Sequence, residues 1–204
     1  MKYTPKTKKR LRALVMDESI NLGDIDTSNI TDMSELFMII DDDEYLVDNP
    51  RADFSGIEKW DVSNVTNMSD MFAGCGNFNQ PLSSWNVSNV TDMSEMFYGC
   101  KNFNQDLSSW DVSKVTDMYC MFAHCENFNQ PLNNWDVSNV KNMQSMFYNC
   151  PNFNQPLNSW NVSNVTNMRY MFCNAKITKE EAFSGKLKSE TTNKSDKGET
   201  MVLR

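Results

Sequence analysis

Cysteine, histidine and clustered carboxylates are the residues here whose spacing suggests chemistry. Cys75, Cys100, Cys125 and Cys150 stand 25 residues apart. If the segments carrying them stack, neighbouring Cα atoms come near disulfide range. The competing reading is a column of small buried thiols acting as hydrophobes. Parallel register favours the second, because identical side chains then point the same way instead of facing each other. Cys120, His124 and Cys125 are close in sequence. A structural zinc site wants four ligands, however, and the chain has no C-x-x-C pair. The run Asp41-Asp42-Asp43-Glu44 lacks the alternating Asp-x-Asp-x-Asp-Gly order that wraps a loop around calcium, so it reads as a solvated loop. His124 is the single histidine. There is no G-x-S-x-G, no phosphate-cradling glycine loop and no H-E-x-x-H. The expectation is a chain that is not an enzyme and uses no cofactor or metal.

The totals narrow the partners. The chain has 204 residues, net charge -8, 40% hydrophobic and 23% charged residues, with 15 Met, 12 Phe and 5 Trp but only 7 Gly. Nucleic-acid binding usually needs a basic face, because phosphate contacts supply most of the affinity. The only basic cluster, Lys6-Thr7-Lys8-Lys9-Arg10, reads as a solvated helix face. No stretch reaches the ~18 apolar residues that span a bilayer, so no membrane insertion is expected. The N-terminal residues lack a signal-peptide core and cleavage site.

What positions all of these residues is a repeat. Trp60, Trp85, Trp110, Trp135 and Trp160 recur every 25 residues. Their neighbours keep register: from Trp60 they run Val62, Val65, Met68, Met71, Phe72, Cys75, Phe78 and Leu82. The same set follows Trp85, Trp110 and Trp135, while the unit from Trp160 holds through Met171 and Phe172 and then places Ala175 where cysteine is due. Upstream, Ile25 to Met33 and Leu36-Phe37 imitate the pattern. From Phe37 to Trp60 is 23 residues, against 13 from Phe72 to Trp85, so about ten residues are inserted. The array has six units with imperfect ends, as solenoids usually do.

Within a unit the apolar period changes. Met68, Met71, Phe72 and Cys75 fall at i, i+3, i+4 and i+7, which predicts a short helix, with Thr66, Thr91, Thr116 and Thr166 as N-caps and Lys141 breaking that column. Gly74, Gly99, His124, Asn149 and Asn174 stand where a left-handed C′ residue is wanted. Phe78, Leu82, Trp85 and Val87 are too irregular for a helix and suit short strand segments. Stacked ~4.8 Å apart, such units bury Trp on Trp and Phe on Phe. The expected core ladder is Trp60, Trp85, Trp110, Trp135 and Trp160 beside Phe72, Phe97, Phe122, Phe147 and Phe172. Columns of Asn and Gln, such as Asn79, Asn104, Asn129 and Asn154, carry donors and acceptors that suit stacking.

The pattern WDVSNVTDMSxMFxxCxNFNQPLSSW resembles the BspA-like leucine-rich-repeat surface proteins, in the 25-residue form of mycoplasma surface proteins, over roughly residues 24–175. The resemblance implies an α/β repeat solenoid: a leucine-rich-repeat-like, right-handed stack with one short helix and short parallel strand segments per unit. It also implies adhesion or protein binding at a bacterial cell surface. Without a leader in the sequence, the cytoplasm stands as the alternative location, and with it an intracellular scaffold or a structural spacer.

The expected organisation is a capping helix and lead-in over 1–24, a degenerate first repeat with an acidic insertion over 25–59, and the repeat array over 60–175. A C-terminal cap and disordered tail follow over 176–204. The first helix is expected over Pro5 to Met16, with Thr4 as N-cap. Thr178-Lys179-Glu180-Glu181 has capping-box spacing. A binding surface belongs where units differ. On the outward positions next to the Met-Phe motif the units carry Ser69 and Asp70, then Ser94, Glu95 and Tyr98, then Tyr119, His124 and Glu126, then Gln144 and Tyr148, then Arg169 and Tyr170. Surface tyrosines make good interface anchors, so Tyr98, Tyr119, Tyr148 and Tyr170 are the candidate contacts for a protein partner.

Overall fold

The structure is a computed structural model, described here over residues 1–184. The disorder expected from Ser184 onward falls, beyond that residue, outside the described residues.

Successive units meet in register. Asp32, Asn67, Asp92, Asp117, Asn142 and Asn167 form a continuous series of parallel bridges, each to the next unit. Around them the backbone follows one rule. The amides of Met68, Asp70, Phe72 and Gly74 donate forward to the carbonyls of Asp92, Ser94, Met96 and Tyr98, at 3.0, 2.9, 2.9 and 2.8 Å. The amides between them turn inward on their own unit: Met71 to Met68 O, Ala73 to Asp70 O and Cys75 to Phe72 O. With the Ser69 amide donating to Asn67 Oδ1, every amide of the segment is thereby used, as burial demands.

This differs from the expected helix. Met68 to Cys75 is a run of turns, with left-handed residues at Asp70 (φ 55°) and Gly74 (φ 75°). The same two positions are left-handed in the later units, at Glu95, Cys120, Ser145 and Tyr170 and at Gly99, His124, Asn149 and Asn174. Left-handed residues every four positions forbid an α-helix, while chained turns still send Met68, Met71, Phe72 and Cys75 inward. The apolar spacing is common to both, so periodicity could not separate them. The threonines are not caps either: Thr66, Thr91, Thr116 and Thr166 hydroxyls donate to carbonyls of the preceding unit. The parallel bridges, too, lie at the Asn67 column instead of in the Phe78 to Val87 stretch.

Aromatic rings fill the interior. Phe37, Phe72, Phe97, Phe122, Phe147 and Phe172 form a stack with successive centroids 5.4, 5.6, 5.6, 5.7 and 5.7 Å apart. A second column, Phe78, Phe103, Phe128 and Phe153, packs beside it, with Phe72 and Phe78 4.1 Å apart. The tryptophans behave differently from a simple Trp-on-Trp pile. Each buried indole donates Nε1–H to a carbonyl of the preceding unit, as Trp110 does to Leu82 O at 2.9 Å. Trp85, Trp110 and Trp135 lie 6.2–6.3 Å from the phenylalanines Phe72, Phe97 and Phe122. A Trp–Trp stack is formed by Trp135 and Trp160, at 6.4 Å.

On the outside, Asn79, Asn104 and Asn129 accept through Oδ1 from the amides of Asn104, Asn129 and Asn154 one unit on. The glutamines Gln105, Gln130 and Gln155 donate to those same Asn side chains. Uniform columns thus serve the stack itself.

The front of the array is sealed by α1 (Lys8–Val15), which buries Leu11, Leu14 and Val15. It begins three residues later than expected: Thr7, not Thr4, accepts from the Arg10 amide as N-cap. Arg12 donates to the carbonyls of Glu35, Leu36 and Met38. The insertion forms an antiparallel hairpin, β1 (Ile39–Ile40) with β2 (Leu46–Val47), which exposes Ile40, Tyr45 and Leu46. Behind it, buried Arg51 donates to the carbonyls of Val15, Ile20 and Asp53, tying α1 to the first repeat. At the far end α2 (Lys179–Ala182) starts with a reciprocal pair: Thr178 accepts from the Glu181 amide, and the Glu181 carboxylate accepts from the Thr178 amide.

Candidate functional site

The turn run places three variable columns side by side along one edge of the stack. One holds Ser69, Ser94, Tyr119, Gln144 and Arg169; the next Glu35, Asp70, Glu95, Cys120, Ser145 and Tyr170; the third Ala73, Tyr98, Ala123, Tyr148 and Cys173. The middle column is left-handed in every unit, with φ of 50–57°. Its side chains are therefore set by a backbone shape that most residues resist.

The four candidate tyrosines come together here. Tyr98, Tyr119 and Tyr170 pack with Cys173 around a small buried cluster of Cys120, Ala123 and Tyr148, separate from the main core. His124 sits between Tyr98 and Tyr148, with ring centroids 5.2 and 5.5 Å away. Tyr98, Tyr119 and Tyr170 are half-buried, but Tyr148 is 8% exposed. Tyr148 is thus a floor of the patch and not an outward contact: the His124 ring lies against it, and Tyr98, Tyr119 and Tyr170 pack around the cluster it belongs to. The Ser145 hydroxyl is fully buried and meets no hydrogen-bond partner of good geometry among the described residues, although it lies close enough to Cys120 to favour the thiolate.

One end of the strip is acidic. Burial, reinforced by Glu35 and Asp92, pushes the Asp70 carboxyl up to about 6. Burial and then Asp70 push Glu95 up to about 7. Beside Glu95 burial raises Tyr98 to about 12, and in the next unit it raises Cys120 to about 12. A raised thiol is the reverse of an activated nucleophile. Burial lowers His124, whose Nδ1 lies 3.3 Å from Asn149 Nδ2, so its imidazole is neutral at pH 7. The strip thus sets carboxyl groups, a protonated thiol and aromatic hydroxyls side by side, groups able to make hydrogen bonds, charge pairs and aromatic contacts.

The cysteine column is placed in the core. Cys75, Cys100, Cys125 and Cys150 are buried and unbridged. Cys100, Cys125 and Cys150 donate Sγ–H to the carbonyls of Phe72, Phe97 and Phe122 at 3.2, 3.0 and 2.8 Å. Among the described residues no group of three or more His, Cys, Asp or Glu is arranged to hold a metal. No helix there is long and apolar enough to cross a membrane.

Sequence reasoning missed two features. The left-handed middle column was hidden because Asp, Glu, Cys, Ser and Tyr give no common signal for positive φ. The exposed hairpin residues Ile40, Tyr45 and Leu46 were legible only as an insertion.

A family model described as Mycoplasma protein of unknown function, DUF285, matches residues 11–114, 44–137 and 85–186 in three overlapping registers. No curated protein and no solved structure matches the chain.

Proposed function

The chain belongs to that Mycoplasma family of unknown function, DUF285, and from this premise we propose that it is a non-enzymatic binding module whose tyrosine strip engages a protein partner. The observation that carries the reading is the convergence of Tyr98, Tyr119, Tyr148 and Tyr170, from four different units, in one patch beside Glu95. Elsewhere the units repeat the same residues for the same stacking bonds. Aromatic residues over a well-packed floor with a polar rim have the anatomy of an interface centre.

The repeat's resemblance to BspA-like surface proteins makes an adhesion-type role, on a protein outside the cell, the finer form of this proposal. A right-handed leucine-rich-repeat-like solenoid belongs to the same proposal. The uniform Asn and Thr columns favour a second reading, a spacer whose faces serve only the stack.

A photo-crosslinking side chain installed at Tyr119, and separately at Ser88 on the uniform face, separates the two. Saturable capture of one protein from 119 and not from 88 is the expected result. Equal capture from both positions, or none that saturates, would contradict the strip and favour the spacer. Protease treatment of intact cells then tells a surface module, cleaved without lysis, from an intracellular scaffold, cleaved only after it.

A further inference from the structure

Large apolar side chains reach water in one internal place. Among the described residues the exposed ones are Met1, at the chain start, and Ile40, Tyr45 and Leu46, at 49, 58 and 37%, all in the β1–β2 hairpin. The hairpin is the insertion that breaks the repeat, so stacking does not call for it. It is fixed at its root and at its turn. Asn49 donates its amide to Gly74 O at 2.9 Å, and Val47 O lies so close that a Cβ on Gly74 would come within 2.8 Å of it. At the turn Asp41 Oδ1 accepts from the Asp43 and Tyr45 amides, at 3.0 and 2.8 Å. Beside the apolar side chains stand Asp42, Asp43 and Glu44, all exposed.

The complementary charge lies on the neighbouring element. Arg12 ties α1 to Leu36 O and Met38 O, at 3.2 and 2.6 Å, directly before β1. The side of α1 turned away from the core carries Lys9, Arg10 and Ala13, with Lys6 just ahead of it, all four exposed. Among the described residues Lys6, Lys9 and Arg10 meet no carboxylate within ion-pair distance, and Asp42, Asp43 and Glu44 meet no cation. Charges next to them are paired: Lys8 with Asp32 at 3.6 Å, and Asp48 with Lys101 at 3.8 Å.

We propose that the hairpin docks on a second copy of this chain, in a two-fold pair where each acidic hairpin lies on the other copy's basic α1 face. The charges select this arrangement. Hairpin against hairpin would oppose carboxylates to carboxylates, and α1 against α1 would oppose cations to cations. The reciprocal contact pairs both patches at once, as two-fold symmetry requires when residue i meets j and j meets i. It also takes Ile40, Tyr45 and Leu46 out of water against Ala13 and the aliphatic stems of Lys9 and Arg10. The patches are small and the chain carries a net charge of -8, so the pair is of the weak, salt-sensitive kind. This inference is independent of the tyrosine strip.

Sedimentation equilibrium of the full chain tests it. Weight-average mass should climb with concentration toward twice that of the monomer. The dissociation constant should rise at least about tenfold between about 0.1 M and about 1 M salt, as the screening length falls from about 10 to about 3 Å. Two variants reverse the patches: Lys6→Glu with Lys9→Glu and Arg10→Glu, and Asp42→Lys with Asp43→Lys and Glu44→Lys. Each alone should be monomeric with circular dichroism preserved. An equimolar mixture of the two should pair again, because every opposed patch is then opposite in sign. If either variant unfolds, Tyr45→Ala should weaken pairing of the otherwise native chain about tenfold. A monomer at every concentration overturns the proposal and leaves the hairpin to another occupant, such as basic residues within 185–204 or of a different protein. A dimer that survives both reversals, or a mixture that stays monomeric, overturns it too.

Discussion

Asp70 and Glu95 carry the strip's clearest electrostatic consequence. Both carboxyls are raised in the folded chain, first by burial, then at Asp70 by Glu35 and Asp92 and at Glu95 by Asp70. Folding therefore binds protons at these sites more tightly than the open chain does. Their contribution to stability is complete below about pH 4, where ordinary carboxyls are protonated, and is lost as pH rises through about 6 and about 7. Asp61, Asp111 and Asp136, held low by Ser63, Ser113 and Ser138, act only at the acid end. Thermal melting should thus fall from about pH 5 to about pH 8, and Glu95→Gln should flatten that slope. A melting temperature constant across this range would mean the pair is solvated. The cysteines give a second residue-scale outcome. Cys100 and Cys125 are held far above the usual thiol range by full burial. A thiol reagent should modify half-buried Cys173 first and reach the column of Cys75, Cys100, Cys125 and Cys150 only on unfolding.

At the scale of elements, stability is shared between neighbouring units. Trp110 is 4% exposed, packs 6.3 Å from Phe97 and bonds to Leu82 O. Trp110→Ala removes a large buried ring and should cost about 3–5 kcal/mol, read as a lower denaturant midpoint. An unchanged midpoint would place that column outside the core. The 25-residue register, the Trp, Phe, Met and Cys columns and the two capping segments were all legible, because burial leaves a periodic apolar trace. The element type was not. Met68, Met71, Phe72 and Cys75 have helical spacing, yet inward positions of successive turns share it. The amides of this segment bond across units, and that destination leaves no mark within a single unit. Thr66 shows the same limit: its hydroxyl serves the preceding unit instead of a helix start.

The whole molecule divides its surface between sameness and variation. Asn, Gln and Thr columns repeat because each unit's side chains satisfy its neighbour, so those faces are committed to stacking. The strip beside the Met-Phe motif is where residues change from unit to unit, and the sequence pointed to it by that contrast alone. It could not show that Tyr148 forms a floor, because burial there depends on His124 and on a cluster drawn from other units. The most direct test of the binding account is the affinity of a captured partner for three forms of the chain. Tyr98→Ala with Tyr119→Ala should weaken binding at least about tenfold, an interface-centre loss of more than about 1.4 kcal/mol, while Ser88→Ala leaves it unchanged. Unchanged affinity in the double tyrosine variant, with its fold intact, would contradict the strip as the binding surface.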